Sequence, residues 1–247
     1  MRVLIAIDDT DNSVSRGTGE IAALIADAIE ANGWGKPGFI TRHQLLVHPD
    51  IPYTSHNSAM CLPVEMPEQC LERTITFACD FLERECADGS DPGLCVVVTD
   101  NIDSAAELVA FGRRAKQEVI RKEEALELAQ RLHVHLSEHG GTGHGVIGAL
   151  AGVGLRLWGN DGRMRGSLAA VRPGQVLTVR ELLEQPDVDS VRSPDGSTVD
   201  FAALVRIGDK PKTVMRDGGS VLLVRPAEQV VGGAAWETLP RRMLRDY

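Results

Sequence analysis

Residues 2–7, Arg-Val-Leu-Ile-Ala-Ile, run straight into Asp8-Asp9-Thr10-Asp11. A short branched apolar run of this kind reads as a buried strand. It is cut off by three carboxylates within four residues, so the fold must hold like charges against the end of a core strand. Neighbouring strand residues point to opposite faces, so Asp8 and Asp9 diverge while the strand stays regular. The cluster becomes favourable when a hard cation sits among its oxygens, and Mg²⁺ suits such a set. The other reading is a solvated turn whose carboxylates cap backbone N–H groups. The end of a buried strand is where α/β proteins bind ligands, which favours the cation. Asp8, Asp9 and Asp11 are therefore the candidate metal ligands.

The next segment, Ser15-Arg16-Gly17-Thr18-Gly19-Glu20, leads into a helix marked by Ile21, Leu24, Ile25, Ala28 and Ile29, with Asn32-Gly33 as its stop. Free N–H groups and the positive helix end point into this loop. Glycines let backbone approach an anion, and Arg16 adds charge, so Arg16, Gly17, Thr18 and Gly19 form a candidate phosphate site. A plain strand–turn–helix link is the alternative. A second glycine loop, Gly140-Gly141-Thr142-Gly143-His144-Gly145, opens onto an apolar helix at 146–155. Gly143-x-Gly145-x-x-Gly148 matches the dinucleotide fingerprint by letter, but a helix is expected before it rather than the first strand of a βαβ unit. Gly143, His144 and Gly145 are either a second anion cradle or glycines that let a helix pack closely.

Further strands are expected at 38–47, 59–66 and 94–98, and helices near 67–85, 103–117 and 121–138. His133, His135 and His139 then fall near a helix end, where only His135 and His139 share a face; a solvated helix end explains them better than a metal site. After about residue 165 helical periodicity fades, apart from a short turn at 180–184. Turn clusters at 193–196 and 216–219 separate short alternating strands. The expected organisation is an α/β region over 1–170 and a small, mainly β region over 171–247.

Composition narrows the partners. Lys and Arg number 26 against 35 Asp and Glu, a formal charge of −9, and aromatics make up 4%. Generic nucleic-acid binders carry excess positive charge, and single-strand platforms need aromatics. A small-molecule ligand held with a cation is the better expectation. Five cysteines without a C-x-x-C pair read as buried reduced thiols. The start carries no signal-peptide pattern and no apolar run approaches 18 residues, so no membrane contact and a cytoplasmic setting are expected. Asp9-x-Asp11 after an apolar strand also fits haloacid dehalogenase phosphatases, but the later acidic pair, Asp187 and Asp189, follows no apolar strand.

Taken together, these blocks resemble the archaeal agmatinylcytidine synthetases, which modify the wobble cytidine of an isoleucine tRNA. The likeness covers roughly residues 1–170. It is carried by Ile5 to Asp11, Arg16-Gly17, Pro49 with Ile51-Pro52-Tyr53, Asn57, Asp91-Pro92-Gly93, Glu123 to Leu126, and Gly143 to Ala151. The resemblance implies a kinase-like ATP-binding α/β domain packed with a ferredoxin-like portion. It also implies ATP and Mg²⁺ as cofactors, and activation of a cytidine carbonyl oxygen that agmatine then displaces as phosphate. By that resemblance Asp8, Asp9 and Asp11 hold the metal, Arg16 to Gly19 face phosphates, and 143–148 complete the nucleotide pocket, with Asp8, Asp9 and Thr18 as catalytic candidates. The chain departs from the family pattern at Thr18-Gly19-Glu20-Ile21, where a threonine-rich run is expected. It departs again at Thr54, His56 and His144, where the family carries cations. The family's OB-fold and zinc ribbon, which engage tRNA, have no counterpart in the sequence.

The sequence thus leads to an ATP- and Mg²⁺-dependent kinase- or ligase-like enzyme acting on a small polar substrate. A homodimer is allowed, and tRNA is not expected as a partner. Agmatinylcytidine synthetase activity itself and a non-catalytic nucleotide-binding regulator are the alternatives.

Overall fold

A computed structural model describes residues 1–51, 56–102, 104–166, 168–244 and 247. Pro52, Tyr53 and Thr54, used above for the resemblance, lie outside the described residues. The chain forms two compact units, Met1–Trp158 and Gly159–Tyr247.

The first unit runs β1 (Arg2–Asp8), α1 (Thr18–Ala31), β2 (Lys36–Pro37), β3 (Thr41–Gln44), β4 (Ser58–Glu65), α2 (Leu71–Glu85), β5 (Gly93–Val98), α3 (Ala105–Arg114), α4 (Lys122–Arg131), β6 (His135–Glu138) and α5 (Gly145–Trp158). Its strands lie in the order β6-β5-β1-β4-β3, with β2 also on β4. The described pairs of this sheet are antiparallel. Val3, Ile5 and Ile7 face a core shared with Ile21, Ile25 and Ile29 of α1 and Ala78 and Leu82 of α2. Leu4 and Ala6 face the other way, into a core with Leu108, Phe111, Leu128 and Leu150 of the later helices. Helices on both faces explain why β1 is apolar without alternation, a pattern more usual in parallel sheets. Each fully buried isoleucine contributes about 1.5–3 kcal/mol, so these two cores hold β1 rigidly and fix where Asp8 emerges.

The mixed α/β fold expected from the sequence holds. Two local expectations do not. The strand expected over 38–47 is shorter, with β2 and β3 separated by a break at Gly38 to Ile40. The helix expected over 121–138 ends at Arg131. His133 takes a left-handed backbone, φ 52°, and the chain turns back as β6. The physical reason is alternation: Val134 and Leu136 pack on one core, while His135 and Ser137 face the other side. His135 and His139 therefore share a strand face, not a helix face.

The second unit contains β7 (Arg163–Met164), β8 (Val176–Thr178), α6 (Val179–Leu183), β9 (Ser190–Arg192), β10 (Leu204–Arg206), β11 (Thr213–Arg216), β12 (Gly219–Val231) and β13 (Ala234–Thr238). Its strands run β7-β11-β12-β13-β10-β8, with β9 on β12. Thr178 caps α6 reciprocally with Glu181, whose backbone N–H donates to the threonine hydroxyl. Leu182, Val205, Ile207, Leu222 and Val224 form its core. Among the described residues no helix is long and apolar enough to cross a membrane.

Candidate functional site

β1 delivers Asp8 to the end of the sheet, directly opposite Gly93 of β5. The chain then breaks sharply: Asp9 has φ 51°, a left-handed backbone that aspartate tolerates better than most residues. This break is how Asp8 and Asp9 escape the opposite-face rule of a regular strand. Asp8 is 8% exposed. Burial first, then repulsion from Asp9 and Asp11, pushes its carboxyl up to about 8. Burial, Asp91 and Asp11 push Asp9 up to about 6, against a backbone hydrogen bond from Asp91 that works the other way. Between Asp9 and Asp11, Thr10 is buried with a hydroxyl that has no hydrogen-bond partner. Asp11 accepts a hydrogen bond from the Thr18 hydroxyl at 3.3 Å.

α1 begins immediately beyond. Gly17 is its cap, extended at φ −73° and ψ 156°, and supplies no side-chain acceptor. Glu20 and Ile21 donate back to the Gly17 carbonyl at 2.8 and 3.3 Å, which leaves the amides of Thr18 and Gly19 directed out of the helix. Arg16 is paired with Glu85 of α2, and both side chains are part-exposed.

The second glycine loop is occupied from within. The Thr142 amide donates to Asp91 Oδ1 at 2.6 Å, and the Thr142 hydroxyl donates to Asp91 Oδ2. The Gly145 amide donates to the Asp91 carbonyl at 3.1 Å, and the Gly143 amide to the Gly140 carbonyl at 3.2 Å. Gly141 and Gly143 have φ of 55° and 74°, which lets the backbone curl round the Asp91 carboxylate. Lys122 ties the loop down by donating to the Thr142 carbonyl at 2.9 Å and to Glu138 at 2.6 Å. His144 is exposed, its Nδ1 against the Thr142 hydroxyl and 3.8 Å from Asp91. Gly148, one turn into α5, packs so tightly on Asp8 that any Cβ would overlap its carboxylate.

The structure therefore brings Asp8, Asp9, Asp11, Gly17 and Thr18 to one end of the sheet, with Gly19 in the first turn of α1 and Arg16 turned towards α2. Gly143, His144 and Gly145 reach the same end through Asp91. Among the described residues no three acidic, histidine or cysteine groups converge tightly enough to enclose a metal ion. Reading the sequence alone misses Asp91 as a site residue, together with Thr10, Glu85, Lys122 and Thr142. The Asp-Pro-Gly signature before β5 is visible there; its link to Thr142, far along the chain, is not.

No family model matches the chain. Over 161 residues it is 30% identical to TiaS of Methanosarcina acetivorans, the 2-agmatinylcytidine synthetase of an isoleucine tRNA, a match spanning 63% of this chain and 36% of the relative. The TiaS of Archaeoglobus fulgidus is 30% identical over 158 residues, 64% of this chain and 36% of that protein. A solved complex of TiaS with its isoleucine tRNA and ATP superposes with a TM-score of 0.55 at 30% identity, over 62% of this chain and 36% of that one. The chain resembles TiaS. It spans about a third of the length of these curated relatives. A TiaS complex with the tRNA, AMPCPP and agmatine, 24% identical with a TM-score of 0.54, extends the shared fold to 81% of this chain and 49% of that one.

One expectation is overturned here. Net charge and low aromatic content argue against tRNA as a partner, yet the similar structure is itself a tRNA complex. Net charge averages over a whole surface, whereas phosphate contacts need only a local arrangement of donors.

Proposed function

We propose that the N-terminal region, to about residue 170, binds ATP with Mg²⁺ and drives an ATP-dependent ligation. It would join a small polar compound to an acceptor activated by phosphoryl transfer, and tRNA is the acceptor that the TiaS complex suggests. The observation that carries this reading is the meeting of an uncapped 14-residue helix with a strained acidic strand end. Open amides at Thr18 and Gly19 with the positive end of α1 suit phosphate oxygens.

The acidic side suits a hard cation by its chemistry. Two carboxylates are raised by burial and by repulsion from neighbouring acids, and the partnerless Thr10 hydroxyl adds an oxygen. Mg²⁺ characteristically takes one or two carboxylates and completes its shell with phosphate and water oxygens, so a tight three-carboxylate cage is not needed. Asp8 and Asp9 would hold it, with Asp11 adjoining. The ion would neutralise charge that develops on the transferred phosphoryl group.

The chain's own residues then have distinct tasks. Asp11 orients the Thr18 hydroxyl, and the Thr18 and Gly19 amides grip phosphate oxygens. Glu85 holds Arg16 beside the loop, where the guanidinium would add positive charge for a triphosphate. Asp91 takes up the Thr142 and Gly145 amides of the second glycine loop and the Gly140 carbonyl takes up that of Gly143, so that loop contributes chiefly the exposed His144. A cytoplasmic setting accords with five free thiols.

Calorimetry with ATP, with and without Mg²⁺, tests the reading. Wild-type protein should bind ATP only with Mg²⁺, and a folded Asp8→Asn/Asp11→Asn variant should lose that dependence. ATP turnover that rises when the isoleucine tRNA and agmatine are supplied together supports ligation on tRNA. Turnover raised by a polar amine alone would assign a small acceptor instead. Unchanged Mg²⁺-dependent affinity in the double variant would remove the site.

A further inference from the structure

A second set of reactive side chains lies between α2 and β6. His135 and Ser137 on β6 and His139, which continues the pairing just beyond it through Pro92, share one face. The Ser137 hydroxyl lies 2.8 Å from Nε2 of His139 and 2.9 Å from Nε2 of His135. Behind His139, its Nδ1 is 3.4 Å from Oε1 of Glu83 on α2. The His139 side chain is 4% exposed and that of Glu83 63%, so a buried imidazole links a half-buried hydroxyl to a solvated carboxylate.

We propose that Ser137, His139 and Glu83 form a serine nucleophile centre for neutral or cationic esters. The hydrogen-bond order settles the roles. Glu83 is an acceptor, so the His139 proton sits on Nδ1 and leaves Nε2 to receive the Ser137 hydroxyl proton. His135 completes the serine by donating from its own Nε2. Burial and the neighbouring His139 lower the His135 pKa, which keeps that ring a neutral donor. Cys79 Sγ lies 4.0 Å from both His135 and Ser137 and burial raises its thiol pKa, but it is the Ser137 hydroxyl that is hydrogen-bonded to the base, His139 Nε2, at 2.8 Å.

The backbone supplies the remaining part. β6 is the last strand in its sheet order, and His139 donates its amide to Pro92 at 2.8 Å. In this antiparallel register the odd-numbered amides face β5 and the Glu138 amide faces outward beside Ser137. That amide can receive the oxyanion. In the reaction, Ser137 Oγ bonds to the ester carbonyl carbon as its proton passes to His139 Nε2. The leaving alcohol takes that proton as its C–O bond breaks, and water repeats the sequence to release the acid. Glu72, Asp80 and Glu83 on α2 make the surroundings acidic, which disfavours anionic substrates.

The test uses the full chain, diisopropyl fluorophosphate as the covalent probe and peptide mass spectrometry to locate the adduct. The expected result is one adduct at Ser137, slowed at least about 100-fold in His139→Gln and about 10-fold in Glu83→Gln. p-Nitrophenyl acetate should be hydrolysed faster than its anionic succinate analogue, and Ser137→Ala should abolish that excess. Glu83 is exposed, so its variant reports on chemistry even if His139→Gln fails to fold. No adduct at Ser137 in folded wild-type protein would overturn the proposal. So would labelling rates unchanged in Glu83→Gln, or equal rates for the two esters.

Discussion

The two glycine-rich loops at the end of the first sheet look alike in sequence and behave differently in structure. Residues 16–19 lead into α1 with amides that no protein acceptor takes up among the described residues, beside carboxylates under strain. Residues 140–145 lead into α5 with three amides already engaged, those of Thr142 and Gly145 by Asp91 and that of Gly143 by the Gly140 carbonyl. One loop leaves backbone donors open, and the other encloses an anion that is part of the chain. Glycine before a helix therefore marks close backbone approach, and only the hydrogen-bond inventory says whether a ligand or a side chain is being approached.

The harshest way to break this contrast is to fill the contact between α5 and β1. Gly148→Ala drives a methyl into the Asp8 carboxylate. Rigid elements on both sides leave little room to relax, so the expected loss is about 3 kcal/mol or more in urea denaturation. A smaller loss would mean that α5 slides freely over the acidic strand end.

Asp8→Asn acts on the open side of the comparison. An acid whose folded pKa is raised holds extra protons in the folded state. The wild type is therefore most stable below about pH 4 with respect to this group, and loses that stability as pH rises towards 8. A shift from 3.8 to about 8 corresponds to about 3–5 kcal/mol across that window once local relaxation is allowed. Asp8→Asn should remove the slope and leave the Mg²⁺-free protein more stable than wild type at pH 8. Thermal melts at pH 5 and pH 8 check it; parallel pH profiles for the two proteins would place the burden on another group. Mg²⁺ should stabilise wild type more at pH 8 than at pH 5, and the variant at neither.

Much of this is legible in the sequence. The buried strand, the acidic break, the helix from residue 18 to the Asn32 cap and the mainly β character beyond residue 165 follow from local pattern, and local pattern is what a sequence displays. The turn to β6 escapes it because Ala125 to Leu132 sets a strong helical period, and only the four-residue alternation after it signals a strand. The raised carboxyls escape it because burial depends on α5 descending onto Asp8 from far along the chain. Asp91 escapes it because its partners are tertiary. The tRNA question goes astray because a sum of charges carries no geometry.

Asp91→Asn sharpens the comparison from the closed side. The variant keeps an acceptor for the Thr142 amide but loses the charge that the loop encloses, a change of about 2 kcal/mol for hydrogen bonds to a charged group. Amide hydrogen exchange should accelerate at least about 10-fold at Thr142 and Gly145 and stay unchanged at Glu20 and Ile21. Removing the Asp91 charge also removes a repulsion on Asp9, so the Asp9 carboxyl should fall below about 6. Its stability penalty at neutral pH should shrink accordingly, visible by carboxyl NMR titration. Equal acceleration in both loops would show that they form one cooperative unit rather than an open site and a closed one.

The smallest structural effect is expected at Arg16. Its ion pair with Glu85 is part-exposed on both sides, and such pairs contribute about 0–1 kcal/mol. Arg16→Gln should therefore shift the melting temperature little. If the loop receives phosphate, the same substitution removes a fixed charge next to open amides, and Mg²⁺–ATP affinity should fall about 10-fold, more at low salt than at high. Glu85→Gln separates holding from binding. Freed from its partner, Arg16 keeps its charge but loses its anchor, so affinity should drop less than in Arg16→Gln. A stability loss without an affinity loss in Arg16→Gln would make the pair a simple brace between α1 and α2. The open amides would then stand alone as the anion-binding feature of this loop.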